Sequence, residues 1–340
     1  MDLPSLAKAT QATVELVPHV APSGLQVIVV IVKQRFEIRP RRHMLGRVSG
    51  AKAMLIDQPW DPDKPETSST KLPSDLCIRK PSTDVILVAH AMAADRAKVR
   101  QLDVTMKVGP IEKTLRVFGT RVWFKALTGL MLTPPEPFEA VPLRWELAFG
   151  GYDVADPRKP LEEPRNPVGR GMAADPDSLV HQPGPSIEDP RSLITSHRSR
   201  PPPAGVGPIG RHWAPRRQYA GTYDERWMKE RVPLPPADFD ERFNQVAPPD
   251  QITPSYLRGG EPVLLANVSP DGPMKFILPR LAFGVATRVD GALTDHHPAL
   301  DTVLLMPSDR TVDLVWRAAV PVPRPARRLE EIRVYEKRVL

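Results

Sequence analysis

The chain has 340 residues, of which 41% are hydrophobic, 42 are proline and one, Cys77, is cysteine. Proline interrupts helices and central strands, so a share more than double the usual value of about 5% excludes a largely helical protein. A single cysteine excludes an intrachain disulfide, and the net charge of +7 favours acidic partners without identifying one. No signal peptide and no bilayer-spanning apolar run is visible, so we expect a soluble cytoplasmic protein without membrane contact.

The first half of the chain predicts a short extension followed by a β-rich lobe. Residues 1–23 carry no clear pattern and are interpreted as an N-terminal extension. Residues 24–152 are interpreted as an N-terminal β lobe, because they hold a β-branched apolar run, a second apolar strand and two stretches that alternate between polar and apolar residues. These predicted strands are residues 24–38, 84–91, 101–108, 113–124 and, before a glycine pair, 142–149.

Residues 153–222 form a Pro/Arg-rich segment in which no periodic pattern is visible. So long a stretch is unusual inside a compact domain and indicates a functional excursion or a linker. We interpret it as an extended arm that joins two parts of the molecule.

Residues 223–340 predict one short helix followed by a C-terminal β lobe. Residues 223–231 suit a helix, with Thr222 as its N-cap and Glu225 completing a capping box. Short apolar runs then predict five strands, at residues 261–267, 274–278, 286–289, 302–306 and 313–316. The predicted fold is mainly β, with two sandwich- or barrel-like lobes joined by the irregular segment and very little helix.

A glycine pattern within the irregular segment imitates a nucleotide-binding motif. Gly205, Gly207 and Gly210 match G-x-G-x-x-G, which binds dinucleotides only between a strand and a helix. Three prolines stand where that strand should be, and Pro208 and Pro215 disrupt the loop and the following helix. A rigid irregular structure is the better interpretation, and no cofactor is expected.

Aromatic and basic residues follow these glycines closely and form a candidate partner-binding cluster. Arginine, tryptophan and tyrosine are enriched at interface hot spots, and arginine pairs well with carboxylates. The alternative is structural, with arginine bonded to carbonyls and tryptophan packed in the core. The cluster consists of Arg211, His212, Trp213, Arg216, Tyr219, Tyr223 and Trp227.

Two other functional classes remain open on the residues alone. A hydrolase could use His212 with Asp238, Asp240 and Glu261, although a turn or capping role for the aspartates is the stronger interpretation. No metal-ligand spacing is visible, and the adjacent pair His296 and His297 fits the surface better than a metal site.

Nucleic-acid binding is the third class. Three basic stretches, within residues 33–52, 191–217 and 324–338, could contact phosphates, but no nucleic-acid module is visible and an acidic protein partner explains the same charge. Nucleic acid is therefore not the expected partner.

An ordered series of motifs resembles a bacterial domain-of-unknown-function family that is associated with type VI secretion. The resemblance covers about residues 24–317. Its motifs are STDVILVAH at 82–90, LRVFGTRVW at 115–123, LRWELAFGGY at 143–152, RNPVGRG at 165–171, GVGPIGRHWAPR at 205–216, YAGTYDERW at 219–227, PPADFDERFN at 235–244, APPDQ at 247–251, LRGGEPV at 257–263, LDTV at 300–303 and LVWR at 314–317.

This resemblance implies a non-enzymatic adaptor or chaperone. Members of the family are encoded beside spike proteins and toxic effectors, and are thought to help load an effector onto the spike tip in the cytoplasm. The implied partners are a type VI effector, a PAAR-type tip protein or both, and possibly the valine-glycine-repeat spike. The family supplies no catalytic residue to carry over, so none is assigned.

Overall fold

The computed structural model describes residues 4–39, 44–127, 129–153, 155–156, 158, 160–324 and 328–337. Strands dominate these residues, which confirms a mainly β fold. The strands are Ser5–Ala9 (β1), Thr13–Val20 (β2), Gln26–Arg39 (β3), Met44–Val48 (β4), Gln58–Pro59 (β5), Thr70–Leu72 (β6), Asp84–Leu87 (β7), His90–Met92 (β8), Gln101–Val108 (β9), Ile111–Phe118 (β10), Trp123–Ala126 (β11), Gly129–Leu132 (β12), Ala140–Pro142 (β13), Phe149–Gly150 (β14), Tyr152–Asp153 (β15), Leu161–Glu162 (β16), Arg170–Gly171 (β17), Ile187–Glu188 (β18), Pro262–Ala266 (β19), Met274–Ile277 (β20), Ala282–Val289 (β21), Ala292–His296 (β22), Ala299–Met306 (β23), Thr311–Pro321 (β24) and Leu329–Lys337 (β25).

Helices are few and short in the described residues. The two α-helices are Ala214–Arg217 (α1) and Glu225–Glu230 (α2). Single 3-10 turns occur at Ala94–Arg96, Trp145–Leu147, Pro176–Leu179, Glu241–Asn244, Pro249–Gln251 and Pro307–Asp309. None of the helices formed by these residues is both long and apolar enough to cross a membrane.

The largest sheet is built around β3 and has the order β2-β3-β24-β23-β7, with β4 also paired to β3. Val27 to Val32 of β3 are all buried, as a β-branched run predicts for a strand covered on both faces. Ile28, Val30 and Val32 join the main core on one face, and Val27, Val29 and Ile31 form a smaller cluster with Val315 on the other.

Two further sheets complete the main core. One has the order β18-β10-β9-β19-β20, and the other has the order β1-β25-β21-β22. Residues from all three sheets, such as Ile28, Val104 and Val285, belong to one apolar cluster.

Strands of the two predicted lobes pair with one another. β3 pairs with β24, and β9 pairs with β19, so both sheets combine residues from 24–152 with residues from 223–340. The predicted extension, residues 1–23, holds two strands: β1 pairs with β25 and β2 pairs with β3. Each of these sheets therefore contains strands from more than one predicted segment. The predicted domain boundaries stay a prediction.

The Pro/Arg-rich segment is irregular, but it is not an extended arm. Its described residues fold back onto the body: Val206, Ile209 and Trp213 belong to the main core, and Leu179 and Ile194 form a small cluster with Trp123 and Phe149. The expectation of a projecting arm was wrong, because the segment buries enough apolar side chains to pack without long regular elements.

Two of the predicted strands also require correction. Residues 142–149 are not one strand, because a 3-10 turn at Trp145–Leu147 interrupts them, and Trp145 lies in the core at only 4% exposure. Residues 84–91 are split into β7, which runs parallel to β23, and β8, which pairs with β13 in a separate sheet.

Candidate partner-binding site

A pair of buried tryptophans anchors the segment that begins at Gly205. Trp213 is 2% exposed, and its ring meets Trp145 edge-on with 5.6 Å between the ring centroids. The Trp145 Nε1–H donates to the carbonyls of Gly207 at 3.2 Å and Pro208 at 3.0 Å. The loop that carries the glycine pattern is thereby fixed to the core by its backbone.

The close packing of the indole rings explains two of the three glycines. A Cβ at Gly205 would lie 2.8 Å from the Trp145 ring, and one at Gly210 would lie 2.7 Å from Trp213 Nε1. A Cβ at Gly207 would meet no atom nearer than Trp145 Nε1, at 3.8 Å. Neither a strand before Gly205 nor a helix directly after Gly210 is formed by these described residues, so the arrangement that binds dinucleotides is missing here.

Arg216 is a framework residue. It is 7% exposed and its guanidinium donates to main-chain carbonyls, from Nη1 to Ile209 at 2.9 Å and from Nε and Nη2 to Phe243 at 3.1 and 2.9 Å. Burial, and then repulsion from Arg211, lower the pKa of Arg216 to about 10. The arginine therefore ties residues 209 and 243 together.

Asn166 is a second framework residue, which the sequence interpretation did not single out. It is fully buried, and its Nδ2 donates to the carbonyls of Trp145 and Phe149, both at 2.9 Å. The main-chain carbonyl of Asn166 accepts hydrogen bonds from the Gly151 and Gly169 amides. This asparagine of the RNPVGRG motif therefore joins its own loop to the turn that carries Trp145.

Arg211, His212 and Tyr223 lie at the surface. Arg211 is loosely paired, with its Nε 3.7 Å from Asp57 Oδ2. The His212 ring lies nearly perpendicular to the buried Trp213 ring, with 6.4 Å between the ring centroids. Tyr223 is 57% exposed and packs edge-on against the half-buried Trp227 at 4.6 Å. These side chains are available for contact with a partner.

Tyr219 takes an intermediate position. It is half-buried, and the guanidinium of Arg242 lies 4.3 Å from its ring centroid. Of the seven cluster residues predicted from sequence, Trp213 and Arg216 are thus buried framework, Tyr219 and Trp227 brace the surface, and the remaining three are exposed.

The short helix α2 is capped by Asp224, and the predicted cap at Thr222 was wrong. The Asp224 side chain accepts from the Trp227 amide at 2.8 Å, while the Thr222 hydroxyl donates to Asp238. The end of the helix is held against the turn between β2 and β3, because Arg231 Nη2 donates to the Pro22 carbonyl at 2.8 Å.

The carboxylates considered for hydrolysis are engaged in local structure. Asp238 accepts from the amide and hydroxyl of Thr222, and these bonds lower the pKa of the carboxyl. Asp240 caps a 3-10 turn, and its pKa is lowered chiefly by the hydrogen bond from Arg242. Glu261 accepts from the Arg258 amide at 2.9 Å. Neither aspartate is thus prepared to act as an acid near neutral pH.

No group of three or more potential metal ligands comes together in the described part of the chain. His296 contacts the Thr287 hydroxyl at 3.1 Å, and His297 contacts Lys337 Nζ at 2.9 Å, so each imidazole has its own neighbour.

Much of the basic charge is paired within the fold. In the first basic stretch, Lys33 pairs with Asp75 at 2.8 Å and Arg47 pairs with Glu336 at 3.0 Å. In the third stretch, Arg328 pairs with Asp290. These pairs leave less free positive charge for nucleic acid than the composition suggests.

A cleft opens beside Arg211 and Arg216. It has a volume of about 190 Å³ and is walled by three parts of the chain: the end of β2 with its turn, the loop before residue 80, and the stretch from 235 to 246. Its lining residues are His19, Val20, Pro22, Asp57, Ser74, Leu76, Cys77, Ile78, Arg211, Arg216, Pro235, Phe239, Glu241, Phe243, Asn244 and Val246. Sequence reasoning missed the first two walls, because only the pairing of distant strands brings them here.

Comparison with known proteins places the chain in a family. Neither a search of curated proteins nor a search of solved structures found a match. The profile of family DUF2169, described as an uncharacterized protein conserved in bacteria, matches residues 23–317. The chain therefore belongs to this bacterial family.

Proposed function

We propose that the protein is a cytoplasmic adaptor or chaperone of type VI secretion, which binds a toxin effector, a PAAR-type spike tip or both and promotes their loading onto the spike. The single observation that carries the partner-binding part is the surface beside the tryptophan pair. There, the exposed Arg211 and the half-buried rings of Phe239 and Phe243 line a cleft on a rigid framework.

The type VI part of the proposal is carried by the ordered motifs between residues 82 and 317, and by the order in which they occur along the chain. The geometry favours binding over catalysis at this surface. Asp238 and Asp240 serve as turn and cap acceptors, so the hydrolase alternative has no free carboxylate pair there.

Rigidity is useful to an adaptor because a preorganised surface loses less conformational entropy on binding. Arg216 fixes the loops at the cleft through the carbonyls of Ile209 and Phe243, and Trp213 fixes the segment to the core. Asn166 in turn holds the turn that carries Trp145, against which Trp213 packs. Arg211 and Tyr223 then face outward from a surface that is already ordered. In this proposal the valine-glycine-repeat spike is an indirect partner, which the adaptor reaches through the tip protein.

Coexpression tests this proposal. The tagged protein is produced together with the proteins encoded beside its gene, and complexes are separated by size-exclusion chromatography. We expect a stable complex with a spike-tip protein or a toxin, and reduced solubility of that partner when the adaptor is omitted. If every neighbour folds and remains soluble alone and none co-elutes, the adaptor function is contradicted.

A further inference from the structure

The cleft beside Arg211 combines an apolar lining with two arginines, Arg211 and Arg216, and two carboxylates, of which only Asp57 lies within ion-pair distance of either arginine, at 3.7 Å from Arg211. The aromatic rings of Phe239 and Phe243 contact each other edge-on at 5.8 Å and form part of one wall. Leu76 and Ile78 contribute to another wall and are only half-buried. Apolar groups that remain partly exposed inside a concave site favour an apolar side chain from another molecule.

The surrounding surface extends this apolar character. Ile56, next to the lining residue Asp57, is 79% exposed, and Val20 at the mouth is 45% exposed. Val232 is 54% exposed, and the neighbouring Arg231 is bonded to the Pro22 carbonyl at the same rim. Val20 thus lines the cleft, and Ile56 and Val232 are next in sequence to residues that line it or bond to its lining; exposed apolar side chains of this kind are typical of a protein-binding surface.

The positive charge on the cleft lining comes from Arg211 and Arg216. Arg216 donates to carbonyls, and no carboxylate of the described residues forms an ion pair with it. Arg211 is 3.7 Å from Asp57, whose other oxygen accepts from the Ser74 amide at 2.6 Å. Arg211 therefore has one loosely placed carboxylate neighbour, which is already hydrogen-bonded, and Arg216 has main-chain carbonyls as its acceptors.

The negative charge on the lining comes from two residues, Asp57 and Glu241. The Glu241 carboxylate is 3.7 Å from Arg79. A carboxylate from a partner would therefore be favoured beside Arg211, whose ion-pair neighbour Asp57 is 3.7 Å away. Arginine forks bind carboxylates through paired hydrogen bonds, and such bonds are strongest when water is partly excluded.

We propose that this cleft binds a peptide segment of the cargo protein in which an aspartate or glutamate stands beside a large apolar residue. The carboxylate binds Arg211, and the apolar side chain packs against Phe239 and Phe243. This rests on the proposed function, since the segment belongs to the cargo, and it names the chemistry by which the adaptor selects that cargo.

Synthetic peptides test the chemistry directly. The probes are fluorescein-labelled peptides that carry aspartate or glutamate next to leucine or phenylalanine, and the same peptides with asparagine or glutamine instead. Fluorescence anisotropy measures their binding to the full chain. We expect the acidic peptides to bind about tenfold more tightly than the amide peptides. Equal affinities, or no binding by any acidic peptide, would overturn the proposal.

A matched pair of charge reversals locates the site. Arg211→Glu should abolish the preference for acidic peptides, whereas Arg217→Glu should preserve it, because Arg217 is exposed on α1 but does not line the cleft. Equal losses in the two variants would show a diffuse charge effect. Self-association that Arg211→Glu abolishes would instead identify a second copy of this chain as the occupant, and either result overturns the proposal.

The coexpressed complex separates this proposal from the function on which it rests. A complex that forms equally well with Arg211→Glu and with the wild type would refute the cleft while leaving the adaptor function standing. If the protein binds acidic peptides but forms no complex with any neighbour, the cleft proposal stands and the adaptor function is contradicted.

Discussion

Arg211 and Arg216 belong to one short segment but lie in opposite environments. Arg216 is buried, and its guanidinium donates three hydrogen bonds to two main-chain carbonyls, those of Ile209 and Phe243. Arg211 is exposed and has only a loose contact with Asp57. The difference teaches that a dense run of arginine and aromatic residues is not one functional unit. Its buried half builds the surface and its exposed half is available to bind.

Trp213→Ala should have the largest effect and would break the framework half. The side chain is 2% exposed and packs against Trp145, so its removal leaves a large cavity. We expect a loss of about 3–5 kcal/mol in the free energy of unfolding. Chemical denaturation measures it, with Tyr223→Ala as the exposed aromatic control, which should change stability far less. Similar losses in the two variants would contradict the division between framework and surface.

Arg216→Met should have the next largest effect. Methionine keeps much of the buried stem but leaves the Ile209 and Phe243 carbonyls without their donors. We expect a loss of about 3 kcal/mol. The matched variant is Arg217→Met, at an exposed position of the same helix, where a change within about 0.5 kcal/mol is expected. A stable Arg216→Met protein would show that the guanidinium bonds are dispensable.

Gly205→Ala sharpens the comparison within the glycine pattern itself. The added Cβ would lie 2.8 Å from the Trp145 ring, so the ring must move, at a cost of about 2 kcal/mol. Gly207→Ala adds the same group where the nearest atom is 3.8 Å away, and its effect should be close to zero. Thermal unfolding of both variants measures the difference. Equal destabilisation would mean that backbone freedom, and not the tryptophan, requires these glycines.

Asp224→Ala should have the smallest of these effects, about 1 kcal/mol, and it should be confined to α2. Because Asp224 accepts from the Trp227 amide, its loss should speed amide hydrogen exchange in the helix. Thr222→Ala, which removes a hydroxyl bonded to Asp238, should leave exchange in α2 unchanged. Faster exchange in the threonine variant alone would restore Thr222 as the cap.

Local pattern predicted the strands whose burial is simple. β9 was predicted with the bounds that the structure has, because polar and apolar residues alternate along it. β3 was predicted from its run of β-branched residues, and the structure buries that run on both faces. In β25, the alternation of Ile332, Arg333 and Val334 was visible, but the charged residues led to its interpretation as a basic stretch.

Contacts between distant parts of the chain could not be predicted from local pattern. β2 has four apolar residues among eight, but Pro18 and His19 interrupt any regular pattern, and it is held as a strand by its pairing with β3. Trp145 leaves the predicted strand because Asn166 and the Gly207 loop hold it elsewhere. The cleft could not be predicted from the sequence for the same reason. Its lining residues His19, Ile78 and Phe239 come from three separate regions, and no spacing in the sequence connects them.

The most direct test of the binding surface is hydrogen–deuterium exchange of the complex with its co-purified partner, compared with the protein alone. The account predicts slower exchange in residues 19–25, 74–78 and 211–246, with little change at the distant β11–β12 hairpin or along β22. Protection confined to the hairpin or to β22, with the cleft unaffected, would contradict the account.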